Sequence, residues 1–436
     1  KINTIDVIQQ SDYFDSVWYL NNYIELQQTT IDAAEHYWSI GQHQGYDPGP
    51  LFSTSGYGTM LEKHIEKIES PLFYFLTHKQ EDRFSPLPVF DGEKVINESA
   101  KSIMLVGHSA GTSLFGAERS FIDLLMALSK LNFNLIVALP CAVNKQYIST
   151  IKQYCVAVAI IPSGWWQKAK PNCGITIELY RNLLRKFAID AVHVNTVLTD
   201  SIAFAANLEK IPVVTHAREI LSEDPALCSA IGADPIDVYE HVCKSSAAVI
   251  ANSKAMYDDI NVCSKGKYVH KLNIIPNTID MDELLELSPP IIEDKLKVGM
   301  LSSNNFKKGI THLIRLAESL ENKKNNSIQF YLFGDKSKYV DDIIRRKAKG
   351  ELKNIIYAGY IDNSKNAIKA VDVVINLSLF AESFGRTILE AMAGARVTVC
   401  YHHGALIELA EKDHSGYLVE YNDLDEFEMA LCKLDV

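Results

Sequence analysis

From Ser102 onward, short runs of β-branched and aliphatic residues alternate with longer stretches in which apolar positions recur at helical spacing. That alternation predicts parallel βαβ units, whose strands are buried on both faces and so read as continuous apolar runs. SIMLV (Ser102 to Val106), FNLIVALP, VAVAIIP, DAVHV, IPVVTH and AAVIANS read as strands, with amphipathic helices such as GAERSFIDLLMAL between them. NIIPN (Asn273 to Asn277) closes this set. Thr278 to Glu293 is acidic, carries Pro289-Pro290 and lacks strand character, so it reads as a linker. A second series runs LKVGMLS, IQFYLFG, NIIYAGY, DVVINLS, and ends near ARVTVCY and GYLVE. The expected class is α/β, with two Rossmann-like doubly wound parallel sheets facing a cleft, over 99–277 and 294–436.

Residues 1–98 have another texture, rich in aromatics and without Val/Ile strand runs. The segment HYWSIGQHQGYDPGPLF (His36 to Phe52) has a degenerate echo in FYFLTHKQEDRFSPLPVF (Phe73 to Phe90), aligning Tyr37 with Tyr74 and Phe52 with Phe90. Repetition on this scale predicts small stacked helical units, hence a mostly helical accessory region or a cap on one sheet edge. The pattern FDxxWYL…HYxxxGxxxGxDPxPLF resembles a helical repeat found beside glycosyltransferases of bacterial surface polysaccharides.

The length of 436 residues suggests two or three domains. A net charge of −11 argues against general affinity for nucleic acid or anionic membranes. The eight cysteines are scattered from Cys141 onward without a CxxC pair, and are expected to be free thiols in a reducing cytoplasm. The chain begins at Lys1 and stops within the helical run DEFEMALCKL, so a cut from a longer polypeptide with further domains is expected.

The richest chemistry lies in AESFGRTILEAMAGARVTV. Glu382 and Glu390 stand with seven residues between them, after the strand reading of Ala370 to Ser378 and along a helix opening near Phe384. Glu382 would occupy the strand-to-helix loop and Glu390 a position about two turns on. The amides of Phe384, Gly385 and Arg386 would open that helix and attract a phosphate. With Gly404 and Glu408 in HHGALIEL, this stretch resembles the E-x7-E signature of retaining nucleotide-sugar glycosyltransferases of the GT-B fold, family 4 in particular. The resemblance covers roughly residues 102 to 433.

What that resemblance implies is specific. Glu390 would hydrogen-bond the ribose, Glu382 would face the donor sugar, and Ser383, Phe384 and Gly385 would present amides, with Arg386 and Thr387 just behind. Asn305-Phe-Lys-Lys-Gly309 resembles the family's KG turn, placing Lys308 on the diphosphate with Lys307 as helper, beside Gly309 and the strand-end Ser302. The family's V-G-R-L is here Val298-Gly-Met300-Leu301, and methionine cannot pair with phosphate, so another cation must serve or leaving-group stabilisation is weaker. No DxD occurs in a suitable loop (Asp423-Leu-Asp425 lies in the tail), so no metal or other cofactor is required.

In the first lobe, Gly107, Gly111 and Gly116 resemble the family's acceptor-side glycine loop, with Glu118 and Arg119 fixing the helix start. Gly107-His-Ser109-Ala-Gly111 also fits the hydrolase nucleophile elbow, but that elbow needs several strands before it and a helix right after the serine. Thr215-His216-Ala-Arg218-Glu219 resembles the family's H-x-R-E ending, which implies His216 near the reacting sugar with Arg218 beside it. Asn195, Asn252 and Ser253 end strands at the same edge as weaker candidates. Trp165-Trp166 with Lys168 and Lys170 is read as loop packing in preference to a headgroup or sugar platform.

The expected activity is metal-independent transfer from a UDP- or GDP-linked sugar to a glycan or lipid-linked glycan in bacterial surface-polysaccharide synthesis. Its place would be the cytoplasm, with peripheral association at the inner face of the plasma membrane in view and no nucleic-acid partner. A catalytically degenerate glycan- or nucleotide-binding module, favoured by Met300, and a nucleotide-sugar epimerase on the same fold are the competing expectations.

Overall fold

The computed structural model describes residues 4–434 apart from 27–29, 63, 66–69, 79, 81–82, 109–110, 112, 293 and 414–415. The chain divides into two compact units, Lys1–Ala251 with Ile260–Asn273, and Asn252–Asp259 with Ile274–Val436. No helix of the described residues is long and apolar enough to cross a membrane.

Among the described residues, unit one opens with five short α-helices, α1 (Thr4–Gln9), α2 (Ser16–Asn22), α3 (Ala33–Ser39), α4 (Thr54–Leu61) and α5 (Pro71–Thr77). Side-chain oxygens of Asp15, Asp32, Ser53 and Ser70 cap four of them, each accepting an N–H from the first turn. Their apolar faces enclose an aromatic core of Phe14, Tyr19, Tyr37, Phe52, Tyr57 and Phe75. The echoed positions are not equivalent in space. Tyr37 is buried with its hydroxyl 3.0 Å from Thr54 Oγ1, whereas Tyr74 is half-buried against His78. Phe52 belongs to the helical core, but Phe90 lies in strand β1 (Val89–Asp91) and joins the sheet core. The region is thus helical up to a short terminal strand that prolines on its N-terminal side had obscured.

The rest of unit one contains β2 (Lys101–Val106), α6 (Gly116–Leu128), β3 (Phe133–Leu139), α7 (Lys145–Lys152), β4 (Ala157–Ile160), α8 (Gly174–Lys186), β5 (Ala191–Val194), α9 (Ser201–Leu208), β6 (Val213–Ala217), α10 (Pro225–Ile231), α11 (Pro235–Ser245), β7 (Ala248–Ala251), the end of α12 (Lys254–Cys263), whose start through Asp259 belongs to unit two, and β8 (Leu272–Ile274). The sheet runs β1-β4-β3-β2-β5-β6-β7-β8, with β2 to β7 parallel and β1 antiparallel on β4. The order reverses direction between β2 and β5, which opens a crevice at their carboxyl ends.

Unit two holds α13 (Asp282–Leu285), β9 (Leu296–Leu301), α14 (Ile310–Asn322), β10 (Ile328–Phe333), α15 (Lys338–Ala348), β11 (Ile355–Gly359), α16 (Ser364–Lys369), β12 (Val373–Asn376), α17 (Arg386–Ala393), β13 (Val397–Tyr401), α18 (Leu406–Asp413), β14 (Gly416–Val419) and α19 (Leu424–Leu434). All neighbours in the order β11-β10-β9-β12-β13-β14 are parallel, and the reversal falls between β9 and β12. Leu296, Val298 and Met300 share one face of β9 by the period of two and are buried with Phe330, Ile375, Leu313 and Phe427. The acidic stretch expected as a linker carries α13, whose Leu284 is buried with Ile279 and Ile368.

A candidate donor-sugar site at the second switch point

The physical rule for open α/β sheets places ligands where strand order reverses, so the loops after β9 and β12 are the first place to look. The β9 loop is held from below by Asn304, which is fully buried in the left-handed region (φ 50°). Its Nδ2 donates to Asp335 O at 3.1 Å, and its carbonyl accepts Ser337 Oγ at 2.6 Å. Ser302 Oγ accepts the Asn304 amide at 3.0 Å, so Ser302 shapes this turn. Asn305 then caps a single 3-10 turn, Phe306–Lys308, by accepting the Lys308 amide at 3.1 Å. Gly309 follows at φ 78°, and a Cβ there would lie 1.9 Å from Leu377 O. Only glycine permits this contact, which brings the β9 and β12 loops together. The Leu379 amide adds a bond to Lys307 O at 2.8 Å.

The consequence is an ion pair. Lys308 Nζ lies 2.6 Å from Glu382 Oε1, their side chains 27% and 15% exposed, and 4.6 Å above the Phe380 ring. Ser378 Oγ donates to the same carboxylate oxygen at 2.6 Å. Burial pushes the Glu382 carboxyl upward, but the Lys308 charge and hydrogen bond, with Ser378 and Asn376, outweigh it and hold it below its ordinary value. An ionised carboxylate and an ammonium therefore stand side by side at a strand-to-helix loop.

Further along, Phe384 is buried and Gly385 (φ 83°) is the N-cap of α17, so the helix begins at Arg386, two residues later than the sequence suggests. Arg386 Nε donates to Glu390 Oε1 at 2.8 Å, and Glu390 is 2% exposed. Ser383 Oγ accepts Nδ2 of Asn252, which is buried in the same unit, at 3.2 Å. Thr387 and Lys307 are half-buried. Met300 lies among core residues and does not reach these groups, so its hydrophobic side chain matches its position.

In unit one, the first switch point gathers a second polar cluster. Gly107 ends β2 where a Cβ would come within 2.8 Å of Leu139 and 3.0 Å of Phe121. At Gly111 and Gly116 a Cβ would meet nothing among the described residues within 4 Å, so their packing does not demand glycine there. Glu118 Oε2 accepts the Phe115 amide at 3.0 Å, which fixes the α6 start. Ser109 lies outside the described residues, and α6 begins only at Gly116, unlike a nucleophile elbow. Asn195 is fully buried and accepts from Arg218 Nε and a terminal guanidinium nitrogen at 3.0 and 2.8 Å. Arg218 also lies 3.3 Å from His216 Nδ1. A guanidinium can only donate, so Nδ1 accepts and the His216 proton resides on Nε2. Burial, Arg218 and His193 together hold His216 well below the usual imidazole range. His193, its ring centroid 5.7 Å from that of His216, is lowered to about 4 by burial and Arg218. Glu219 ties the cluster down, accepting Thr196 Oγ1 at 2.7 Å and lying 3.7 Å from His108 Nε2. Sequence reasoning named Glu219 only as the end of the H-x-R-E motif and gave no role to His108, Ser378 or Phe380. Ser378, four residues before Glu382, had a local signal that went unused.

Trp166 stacks on His241 with centroids 4.6 Å apart, while Lys168 pairs with Asp237 at 2.7 Å. This is loop packing, with Trp165 left half-exposed.

Two parallel α/β sheets, each with a loop cluster at its switch point, define the architecture of two-domain nucleotide-sugar enzymes. The description "Glycosyl transferases group 1" matches residues 295–434, and "Glycosyltransferase Family 4" matches 116–283. The chain belongs to this family of GT-B glycosyltransferases. It is 25% identical over 277 residues to the Escherichia coli UDP-Gal:alpha-D-GlcNAc-diphosphoundecaprenol alpha-1,3-galactosyltransferase, covering 59% of this chain and 69% of the relative. Among solved structures it resembles Anabaena Alr3699/HepE in complex with UDP-glucose (TM-score 0.62, 20% identity, 76% of this chain and 89% of the other). A Rickettsia africae glycosyltransferase is similar in fold (TM-score 0.59, 18% identity, 77% and 88%).

Proposed function

We propose that this glycosyltransferase moves a sugar from a nucleotide diphosphate to a hydroxyl of a glycan or lipid-linked glycan, with retention at the anomeric carbon, in bacterial surface-polysaccharide assembly. The observation that carries the reading is the Lys308–Glu382 pair at the second switch point, with Glu390 on the following helix. Lys308 would turn to the departing diphosphate, Lys307 and the α17 start adding positive potential. Glu382, freed from it, would accept hydrogen bonds from the donor sugar, and Glu390 from the ribose. Ser383, Phe384, Gly385, Arg386 and Thr387 would line the donor loop, with Gly309 and Ser302 setting its shape.

The first unit's cluster suits the acceptor side. Neutral His216 offers an Nε2–H donor, next to Asn195 and Arg218. As the C1–O bond to the diphosphate breaks, the acceptor oxygen bonds to C1 on the same face and its proton passes to a diphosphate oxygen. No protein nucleophile is needed, and Lys308 supplies charge that a divalent metal gives elsewhere. The UDP-glucose complex of the Anabaena structure supports a UDP-linked donor, and the Escherichia coli relative's name supports an acceptor on a lipid diphosphate. Such an acceptor would place the protein at the cytoplasmic face of the membrane, with residues 1–98 as accessory module.

Calorimetry with UDP and GDP, then transfer assays with a panel of UDP-sugars in EDTA, tests the proposal. Nucleotide binding with EDTA-insensitive transfer is expected. Binding without hydrolysis or transfer would identify a binding module, and donor-only epimer formation an epimerase.

A further inference from the structure

We infer that Glu408 and Asn252 are positioning residues that keep the Glu382–Ser383 loop aimed when Lys308 leaves it; this rests on the donor-site reading above. The observation is a closed ring of hydrogen bonds within the second unit. Asn252 Nδ2 donates to Ser383 Oγ at 3.2 Å. Two residues on, the Lys254 and Ala255 amides donate to the two carboxylate oxygens of Glu408 at 2.9 and 2.7 Å. Glu408 sits in the first turn of α18, just after Ala405, whose amide donates to Glu382 O at 2.8 Å. The ring therefore starts at the Ser383 hydroxyl and ends at the carbonyl of the adjacent Glu382. Gly404 tightens it, since at φ 60° a Cβ would come within 2.7 and 2.8 Å of the Glu382 carbonyl oxygen and nitrogen.

Local capping does not account for Glu408. Ser253 already serves α12 in the ordinary way, its Oγ accepting the Met256 amide at 3.0 Å and its carbonyl the Tyr257 amide at 3.1 Å. Glu408 takes the two remaining first-turn amides from 154 positions away, where the helix's positive end favours a carboxylate. That end is filled by protein and is not an anion site.

The ring matters because the Glu382 side chain has two kinds of support. Its carboxylate is held by Lys308 and Ser378. When diphosphate draws Lys308 away, the strongest carboxylate contact goes. The Ala405 bond to the Glu382 carbonyl and the Asn252 bond to the Ser383 hydroxyl are then what hold the group against the sugar. A displacement on the order of 1 Å at such a point costs about a hundredfold in rate.

The test compares Glu408→Ala, Glu408→Gln, Asn252→Ala and the Glu408/Asn252 double alanine variant with Glu382→Ala, all in the full chain. Turnover at saturating substrates is expected to fall about tenfold or more in Glu408→Ala, while the dissociation constant of the free nucleotide diphosphate stays within about twofold. Glu408→Gln, which keeps one acceptor oxygen, recovers part of the loss. The double variant is no worse than the poorer single one, because both break the same ring. Undiminished turnover in the Glu408 and Asn252 variants, with Glu382→Ala inactive, overturns this inference and leaves the donor site standing. A parallel loss of turnover, nucleotide affinity and thermal midpoint in Glu408→Gln and Asn252→Ala also overturns it. Full activity in Glu382→Ala removes the donor-site reading itself.

Discussion

Lys308→Met keeps most of the stem's volume and deletes the charge, so it isolates the ion pair at the centre of the proposed donor site. In the wild-type protein Nζ lies 2.6 Å from Glu382 Oε1, with both side chains largely screened from solvent. The variant leaves a mostly buried carboxylate with Ser378 as its closest remaining polar partner. Breaking one side of such a pair, discounted for the solvent that still reaches it, costs about 2 kcal/mol. That corresponds to a fall of roughly 4–8 °C in thermal midpoint. The pH dependence has a definite sign. Wild-type Glu382 has a folded pKa below its unfolded value, so its contribution is present above the unfolded pKa and fades as pH falls through the lower folded one. Without Lys308 the largest downward influence is gone, so burial pushes the folded pKa up from its wild-type value. The variant's deficit should therefore be smallest in acid and grow as pH rises from about 4 towards about 7. Differential scanning calorimetry across that range reads the effect, and a transfer assay should show a loss of about 10²- to 10³-fold in kcat/KM. A deficit that does not change with pH, together with turnover close to wild type, would refute the reasoning.

Three further outcomes follow from other residues. Gly309→Ala must place a Cβ 1.9 Å from Leu377 O in a left-handed backbone, so urea unfolding should show a loss of about 2 kcal/mol or more, with donor turnover reduced. Met300→Arg, which restores the family's residue, forces a charge among Leu296, Val298 and Phe330; several kcal/mol of destabilisation are expected, roughly 3 or more, without improved donor KM. A better donor KM would show that this position reaches the diphosphate after all. His216→Ala should raise the acceptor KM and spare the donor KM. Because His216 is held well below the imidazole range, the wild-type kcat profile should carry no His216 inflection between about pH 6 and about pH 8.

Much of this was legible in the amino-acid order. Apolar runs marked both parallel sheets because strands buried on two faces need no polar alternation, and all six strands of the second unit fall inside runs read from sequence. Glu382, Glu390 and Lys308 stood out through local spacing. The direction of Met300 was also available, since Leu296, Val298 and Met300 share a face by simple parity. What escaped depends on distance along the chain. Asn252 meets Ser383 across 131 positions and Glu408 meets Lys254 across 154, and no local pattern encodes such pairings. Val89–Asp91 escaped for the opposite reason. Three residues beside prolines are too short for periodicity, and only the β4 edge makes them a strand. The aromatic echo misled because Phe52 and Phe90 match in type while serving different cores.

The most direct trial of the central claim is the anomeric configuration of a product made by the purified chain from a UDP-sugar and a lipid-diphosphate-linked acceptor, read by proton NMR. The account predicts a new glycosidic bond with the donor's anomeric configuration, formed in EDTA, absent from Glu382→Ala and formed at a rate lower by about 10²- to 10³-fold in Lys308→Met. An inverted product, or equal product from those two variants, would contradict it.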